Sequence, residues 1–129
     1  MKANELMIGD WVKSRGKIEQ VTSVYDGFIC TDSFEDSHDY YFDPIPLTPE
    51  ILEKNGFVYK ELKGVGDKEI WRIEDDYYDI DIYEWSDSIW IFRYDCTEMS
   101  LPHTQVTMSY VHELQHALRL CGIEKDIVL

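Results

Sequence analysis

The stretch that decides the carboxyl-terminal part of the fold is Ser109–Gly122, S-Y-V-H-E-L-Q-H-A-L-R-L-C-G. Its apolar residues recur at the spacing of an α-helix, which predicts one broad stripe that faces a core. The stripe comprises Val111, Leu114, Ala117, Leu118 and Cys121. A hydroxyl residue before it can cap the amino end, and Gly122 is placed to end the helix in a left-handed conformation. The side chains predicted on the opposite, more polar face are His112, His116 and Arg119.

The same segment contains the motif H-E-x-x-H, formed by His112, Glu113 and His116. Two imidazoles four residues apart on a helix can bind zinc, and the glutamate can activate a metal-bound water. Catalytic zinc generally takes a third protein ligand, and the extended motif needs glycine and histidine where this chain has Arg119 and Gly122. We therefore predict no catalytic residue, no metal and no cofactor. The alternative is a zinc-dependent hydrolase in which His112 and His116 bind the metal and Glu113 is the general base.

Composition limits the class of protein. The chain has 129 residues, of which 44% are hydrophobic and 14% aromatic, so it can bury a core and is not a disordered acidic tail. No apolar run approaches the ~20 residues of a membrane span, and the first ten residues carry no signal-peptide hydrophobic region. We predict a cytoplasmic protein that does not contact a membrane.

The net charge is −14. Nucleic-acid backbones are bound by lysine and arginine, so this charge argues against direct nucleic-acid binding. It favours encounter with a partner that has a basic surface. The alternative is that the acidic surface only keeps a small protein in solution.

In the amino-terminal part, short apolar segments alternate with turn signals at Ser14–Lys17 and at Asp26-Gly27. This spacing predicts a small SH3-like β-barrel unit over residues 1–43. The prolines of Asp43–Leu47 predict a linker, and Thr48-Pro49-Glu50 begins a helix that ends at Asn55-Gly56.

Residues 44–129 are predicted to form the second unit, in which the linker helix precedes an antiparallel β-meander covered by the carboxyl-terminal helix. Four segments with period two carry the meander: Phe57–Leu62, Glu69–Ile73, Tyr78–Glu84 and Ile89–Tyr94. In Asp79-Ile80-Asp81-Ile82 the isoleucines are predicted to pack and the aspartates to face solvent. With the nearby aromatic residues they form a candidate interaction surface: Asp79, Asp81, Tyr83, Trp85 and Trp90. The fold class is therefore α+β.

Three blocks carry a resemblance to a known family. They are M-K-A-N-E-L-M-I-G-D-W-V (Met1–Val12), P-I-P-L-T-P-E-I-L-E-K-N-G-F (Pro44–Phe57) and Y-V-H-E-L-Q-H-A-L-R-L-C-G-I-E-K (Tyr110–Lys125). In these blocks the chain resembles a family of small uncharacterised proteins from gut Bacteroidetes that are often found in phages, prophages and mobile elements. The resemblance implies a bacterial or phage cytosolic setting. Relatives often have glutamine in place of Glu113, which implies that the family does not require a general base there.

The expected function is that of a non-enzymatic accessory or interaction protein of a mobile element or phage. Its expected partner is a host or phage protein, with a basic surface that complements the acidic charge.

Overall fold

A computed structural model describes residues 1–33, 37–62, 68–74, 78–85, 88–95, 103–106 and 108–129, without the side chains of residues 40, 62, 68, 84–85, 88–90, 92–95 and 103–106. The chain divides into two compact units. Unit 1 contains Met1–Pro46 and Ser109–Gln115, and unit 2 contains Leu47–Met108 and His116–Leu129.

Unit 1 contains a five-stranded antiparallel sheet in the order β4-β3-β2-β1-β5. Its strands are β1 (Trp11–Ser14), β2 (Lys17–Tyr25), β3 (Phe28–Thr31), β4 (Ser37–His38) and β5 (Asp43–Pro44). Two-residue turns, Arg15-Gly16 and Asp26-Gly27, connect β1 to β2 and β2 to β3. All four of these residues have positive φ, from 45° to 82°, as expected where a tight turn follows the twist of a hairpin. Both predicted turns are confirmed.

The core of unit 1 is built on one face of this sheet. Its buried residues are Ala3, Leu6, Val12, Val21, Ile29 and Phe42. The valines and the isoleucine come from adjacent strands, and a short 3-10 helix, Ala3–Glu5, adds Ala3. In the described part of the chain no backbone pairing joins β4 to β5. The sheet is therefore open there, and the predicted barrel is not confirmed.

Unit 2 begins with the predicted linker helix, α1 (Pro49–Lys54). The Thr48 hydroxyl accepts a hydrogen bond from the backbone N–H of Ile51 at 3.3 Å, which caps the amino end as the sequence predicts. After the helix, the Asn55 side chain pairs with the backbone of Val128: its amide nitrogen donates to the carbonyl at 2.8 Å, and its oxygen accepts from the N–H at 2.7 Å. Asn55 thereby ties the end of α1 to the carboxyl-terminal segment.

The sheet of unit 2 is an antiparallel meander in the order β10-β9-β8-β7-β6. Its strands are β6 (Val58–Leu62), β7 (Lys68–Glu74), β8 (Tyr78–Trp85), β9 (Ser88–Asp95) and β10 (His103–Val106). Ile80, Ile82 and Ile91 are at most 6% exposed, so the predicted packed face is confirmed for the isoleucines. The α+β class with two antiparallel sheets is also confirmed.

The carboxyl-terminal helix α2 runs from Val111 to Leu120 and contributes residues to both units. Gly122, just beyond the helix, has φ 72° and turns the chain away from it, and the N–H of Ile123 donates to the carbonyl of Leu118 at 3.0 Å. All five residues of the predicted apolar stripe are buried. The packing of α2 on the meander stays a prediction. Among the described residues, no helix has both the length and the apolar character that a membrane crossing requires.

Candidate functional site

The first candidate site is the H-E-x-x-H motif, which lies in the first two turns of α2. Glu113 is the third residue of this helix, and its Oε1 accepts hydrogen bonds from the backbone N–H groups of Ser109 at 3.0 Å and Tyr110 at 3.1 Å. A glutamate at this position commonly reaches back to the start of a helix in this way. It also places negative charge at the positive end of the helix dipole. The predicted base of the hydrolase alternative is therefore a helix cap in this structure.

The two histidines of the motif lie in different environments. His112 is 6% exposed, and its ring stacks on Tyr110 at 5.9 Å with an interplanar angle of 10°. His116 is half-buried. The prediction that His112 lies on the more polar face of the helix was wrong, because its ring packs on Tyr110 and is buried. In the described part of the chain, no three side chains of histidine, cysteine, aspartate or glutamate converge as metal ligands would.

Gln115, which the sequence analysis did not single out, is 7% exposed and has a specific contact. Its Oε1 accepts a hydrogen bond from the N–H of Trp11 at 3.0 Å, and its Nε2 donates to the carbonyl of Gly9 at 2.9 Å. Gln115 occupies an unspecified position of the H-E-x-x-H motif, and its two hydrogen bonds hold the segment that leads into β1.

The second candidate site is the acidic surface on β8. Asp81 lies directly opposite Arg72 of β7, and two short contacts join them: Nε to Oδ1 at 2.6 Å and Nη2 to Oδ2 at 2.7 Å. Asp81 is only 3% exposed, so its predicted solvent-facing position was wrong. The hydrogen bonds that Arg72 donates to Asp81 raise the pKa of Arg72 against the effect of desolvation, and the negative charges of Asp81, Asp79 and Glu74 add to this rise. Asp81 is therefore half of a buried ion pair.

The other predicted surface residues are placed as follows. Asp79 is half-buried and lies directly opposite Glu74. Tyr83 is half-buried, and its backbone pairs with that of Trp90. Trp85 and Trp90 belong to β8 and β9, but their side chains lie outside the described residues. The structure thus leaves the aromatic part of the predicted surface as a prediction.

A different acidic and aromatic set lies on the opposite face of the same sheet, at its β6 edge. We call it the β6–β7 acidic face, defined by Tyr59, Glu61, Glu69 and Trp71. Tyr59 lies opposite Trp71, with ring centroids 5.4 Å apart and an interplanar angle of 64°, and Glu61 lies opposite Glu69. Desolvation is the largest cause that raises the pKa of Tyr59 to about 12, and the hydrogen bonds and negative charges of Glu69 and Glu61 add to it. The sequence patterns of β6 and β7 contain these four residues, but the register that brings them together did not follow from either pattern.

Comparisons of the chain with protein-family models, with curated proteins and with solved structures find no significant match.

The capping role of Glu113 predicts an asymmetric response to substitution. Glu113→Ala removes the acceptor of two N–H groups and should lower the free energy of unfolding by about 0.5–2 kcal/mol. Glu113→Gln retains an acceptor oxygen and should cost less than half as much. Urea unfolding followed by circular dichroism measures both, with Glu124→Ala as a control at an exposed glutamate beyond the helix. If Glu113→Gln is as damaging as Glu113→Ala, the capping role is wrong.

The buried ion pair predicts strong coupling between its two residues. Arg72→Met leaves the carboxylate of Asp81 buried without its cation and should cost about 3–5 kcal/mol of unfolding free energy. The double variant Arg72→Met/Asp81→Leu should recover most of that loss, because no charge remains buried. Equal stability of the single and double variants would contradict this account.

The matched control for this experiment is Lys60→Met, which breaks the exposed contact of Lys60 Nζ with Glu74 Oε1 at 2.9 Å. It should lower the free energy of unfolding far less than Arg72→Met does, because both side chains of this pair are exposed to solvent. The hydrogen bond from Lys60 lowers the pKa of Glu74. The contribution of this pair is therefore present at neutral pH and is lost as the pH falls through the titration of Glu74.

Proposed function

We propose that this protein is a non-enzymatic accessory protein that binds a host or phage protein through complementary charge. The observation that carries the proposal is the exposed β6–β7 acidic face in a chain of net charge −14. An acidic field of this size speeds encounter with a basic surface and disfavours acidic competitors. Tyrosine and tryptophan beside the carboxylates are side chains that contribute strongly at the centres of interfaces.

The setting that we propose is the cytoplasm of a bacterium that carries a phage or mobile element. It is supported by the resemblance of the three sequence blocks to the Bacteroidetes family. Within this proposal the partner is a protein and not a nucleic acid, because a polyanion would be repelled by the acidic surface.

We also infer that unit 1 is SH3-like. The order β4-β3-β2-β1-β5 supports this. So does the long strand β2, which pairs with β1 through residues 17–20 and with β3 through residues 21–25, with a register irregularity between Val21 and Ser23. A 3-10 helix, Asp39–Tyr41, precedes β5, which returns to pair with β1. A bend in a long strand is the usual way for a small sheet to curve towards closure.

The hydrolase alternative requires a rearrangement at the start of α2. To act as a base, the Glu113 carboxylate would have to leave the N–H groups of Ser109 and Tyr110. Those groups would then need water as acceptor. No feature of the described residues favours this alternative over a helix cap.

The partner proposal is tested by affinity capture at two salt concentrations. The immobilised protein is exposed to a Bacteroidetes lysate, with and without phage infection, at about 25 mM salt and then eluted with increasing salt. We expect a basic protein that is released below about 1 M salt, where the screening length falls to ~3 Å. An unrelated protein of the same net charge is the control. Capture of nothing beyond that control would contradict the proposed function.

Metal content tests the alternative. Elemental analysis of the untagged protein should find no stoichiometric zinc. About one zinc per chain, lost in His112→Asn/His116→Asn while the fold is retained, would favour the hydrolase over the accessory protein.

A further inference from the structure

The edge strand β6 has an accessible outer side. It is the last strand in the order of its sheet, and in the described part of the chain it pairs only with β7. Val58 is 57% exposed, Tyr59 is 41% exposed, and Glu61 is exposed as well. An edge of this kind presents backbone N–H and C=O groups with which an additional strand can pair.

One face of β6 carries acidic and aromatic side chains. It carries Tyr59 and Glu61, with Trp71 and Glu69 directly behind them on β7. Two carboxylates that face each other across a strand pair repel. The Tyr59 hydroxyl donates to Glu61 Oε1 at 3.4 Å, but among the described side chains neither Glu61 nor Glu69 forms an ion pair. An ammonium or guanidinium group placed here would relieve that repulsion and would lie against aromatic rings.

The other face of β6 carries an apolar and a basic side chain instead. It carries Val58 and Lys60, and the ammonium of Lys60 already contacts Glu74 at 2.9 Å. A second cation on this face would be repelled by Lys60, whereas an uncharged β-branched side chain would pack beside Val58. An added strand would therefore pack best with a cationic residue on the acidic face and an uncharged β-branched residue on the other face, at alternate positions.

We propose that β6 is the docking edge for an extended segment of the basic partner, in which lysine or arginine alternates with an uncharged β-branched residue. Successive side chains of a strand point to opposite faces, so the cations would meet Glu61 and Glu69 while the residues between them meet Val58. Backbone pairing supplies affinity, and the alternation supplies specificity. This inference rests on the proposed function and names the site and the kind of segment that it binds.

A second copy of the chain is a poorer occupant of this edge. Pairing β6 with its own copy would bring the acidic faces of two chains together, each with a net charge of −14. That arrangement would add negative charge beside Glu61 and Glu69, which already repel each other in the single chain.

The test uses the full chain and two peptides of identical composition. In one, lysine alternates with threonine and valine over seven residues; in the other, the lysines are contiguous. Titration calorimetry at low salt should show the alternating peptide binding at least about fivefold more tightly. Hydrogen exchange should show new protection of the backbone amides of β6 when that peptide is bound.

Two double variants with the same change of net charge distinguish binding at β6 from a general electrostatic attraction to the acidic protein. Glu61→Gln/Glu69→Gln should weaken binding of the alternating peptide by about tenfold or more. The control, Glu53→Gln/Glu124→Gln, alters two exposed glutamates elsewhere in unit 2 and should weaken it by less than about threefold.

Three results would overturn the docking edge: equal affinity for the two peptides, equal losses in the two double variants, or protection of amides outside β6. Protection of β6 that rises with protein concentration in the absence of peptide would instead identify a second copy as the occupant and would also overturn it. None of these results decides the proposed function, which the capture experiment judges independently with an intact partner.

Discussion

The side-chain amide of Gln115 is the constraint on which the order of unit 1 depends. It binds the carbonyl of Gly9 and the N–H of Trp11, at the point where the chain enters β1. Two backbone bonds join the same point to β2: Gly9 N–H to the carbonyl of Val21, and Val21 N–H to the carbonyl of Asp10. Without the amide, the N–H of Trp11 and the carbonyl of Gly9 would each lose one hydrogen bond, while Gln20 Nε2 would still donate to the Gly9 carbonyl at 3.2 Å. A residue near the end of the chain thus fixes the start of its first sheet.

The H-E-x-x-H pattern is a case in which one spacing serves two kinds of chemistry. In a zinc enzyme the glutamate must be a base, so glutamine cannot replace it. In a helix cap the same residue only has to accept hydrogen bonds from the start of the helix, which glutamine also does. Glu113 satisfies the second requirement here, with both N–H groups within 3.1 Å of Oε1.

Local patterns predicted much of the fold, and distant pairings explain the failures. The helix α2, the Thr48 cap and the Asp26-Gly27 turn depend on residues a few positions apart, so the sequence displays them directly. Asp81 was assigned to solvent because the alternation with isoleucine shows only that it lies on the other face. Its burial depends on Arg72, which becomes its neighbour only through the register of β7 with β8. The contact of Gln115 with Gly9 spans 106 positions and leaves no local pattern at all.

The two faces of the second sheet differ in how their charges are compensated. On the face that carries Asp81, that residue is paired with Arg72, and Glu74 is paired with Lys60. On the β6–β7 acidic face, Glu61 and Glu69 face each other instead, an arrangement that destabilises a strand pair, although the Tyr59 hydroxyl donates a hydrogen bond to Glu61 at 3.4 Å. In the docking that we propose, a basic segment would remove this repulsion as it binds, and relief of the unfavourable contact would contribute to the driving force for association. Local conflict of this kind is expected where a surface is shaped for a partner and not for stability alone.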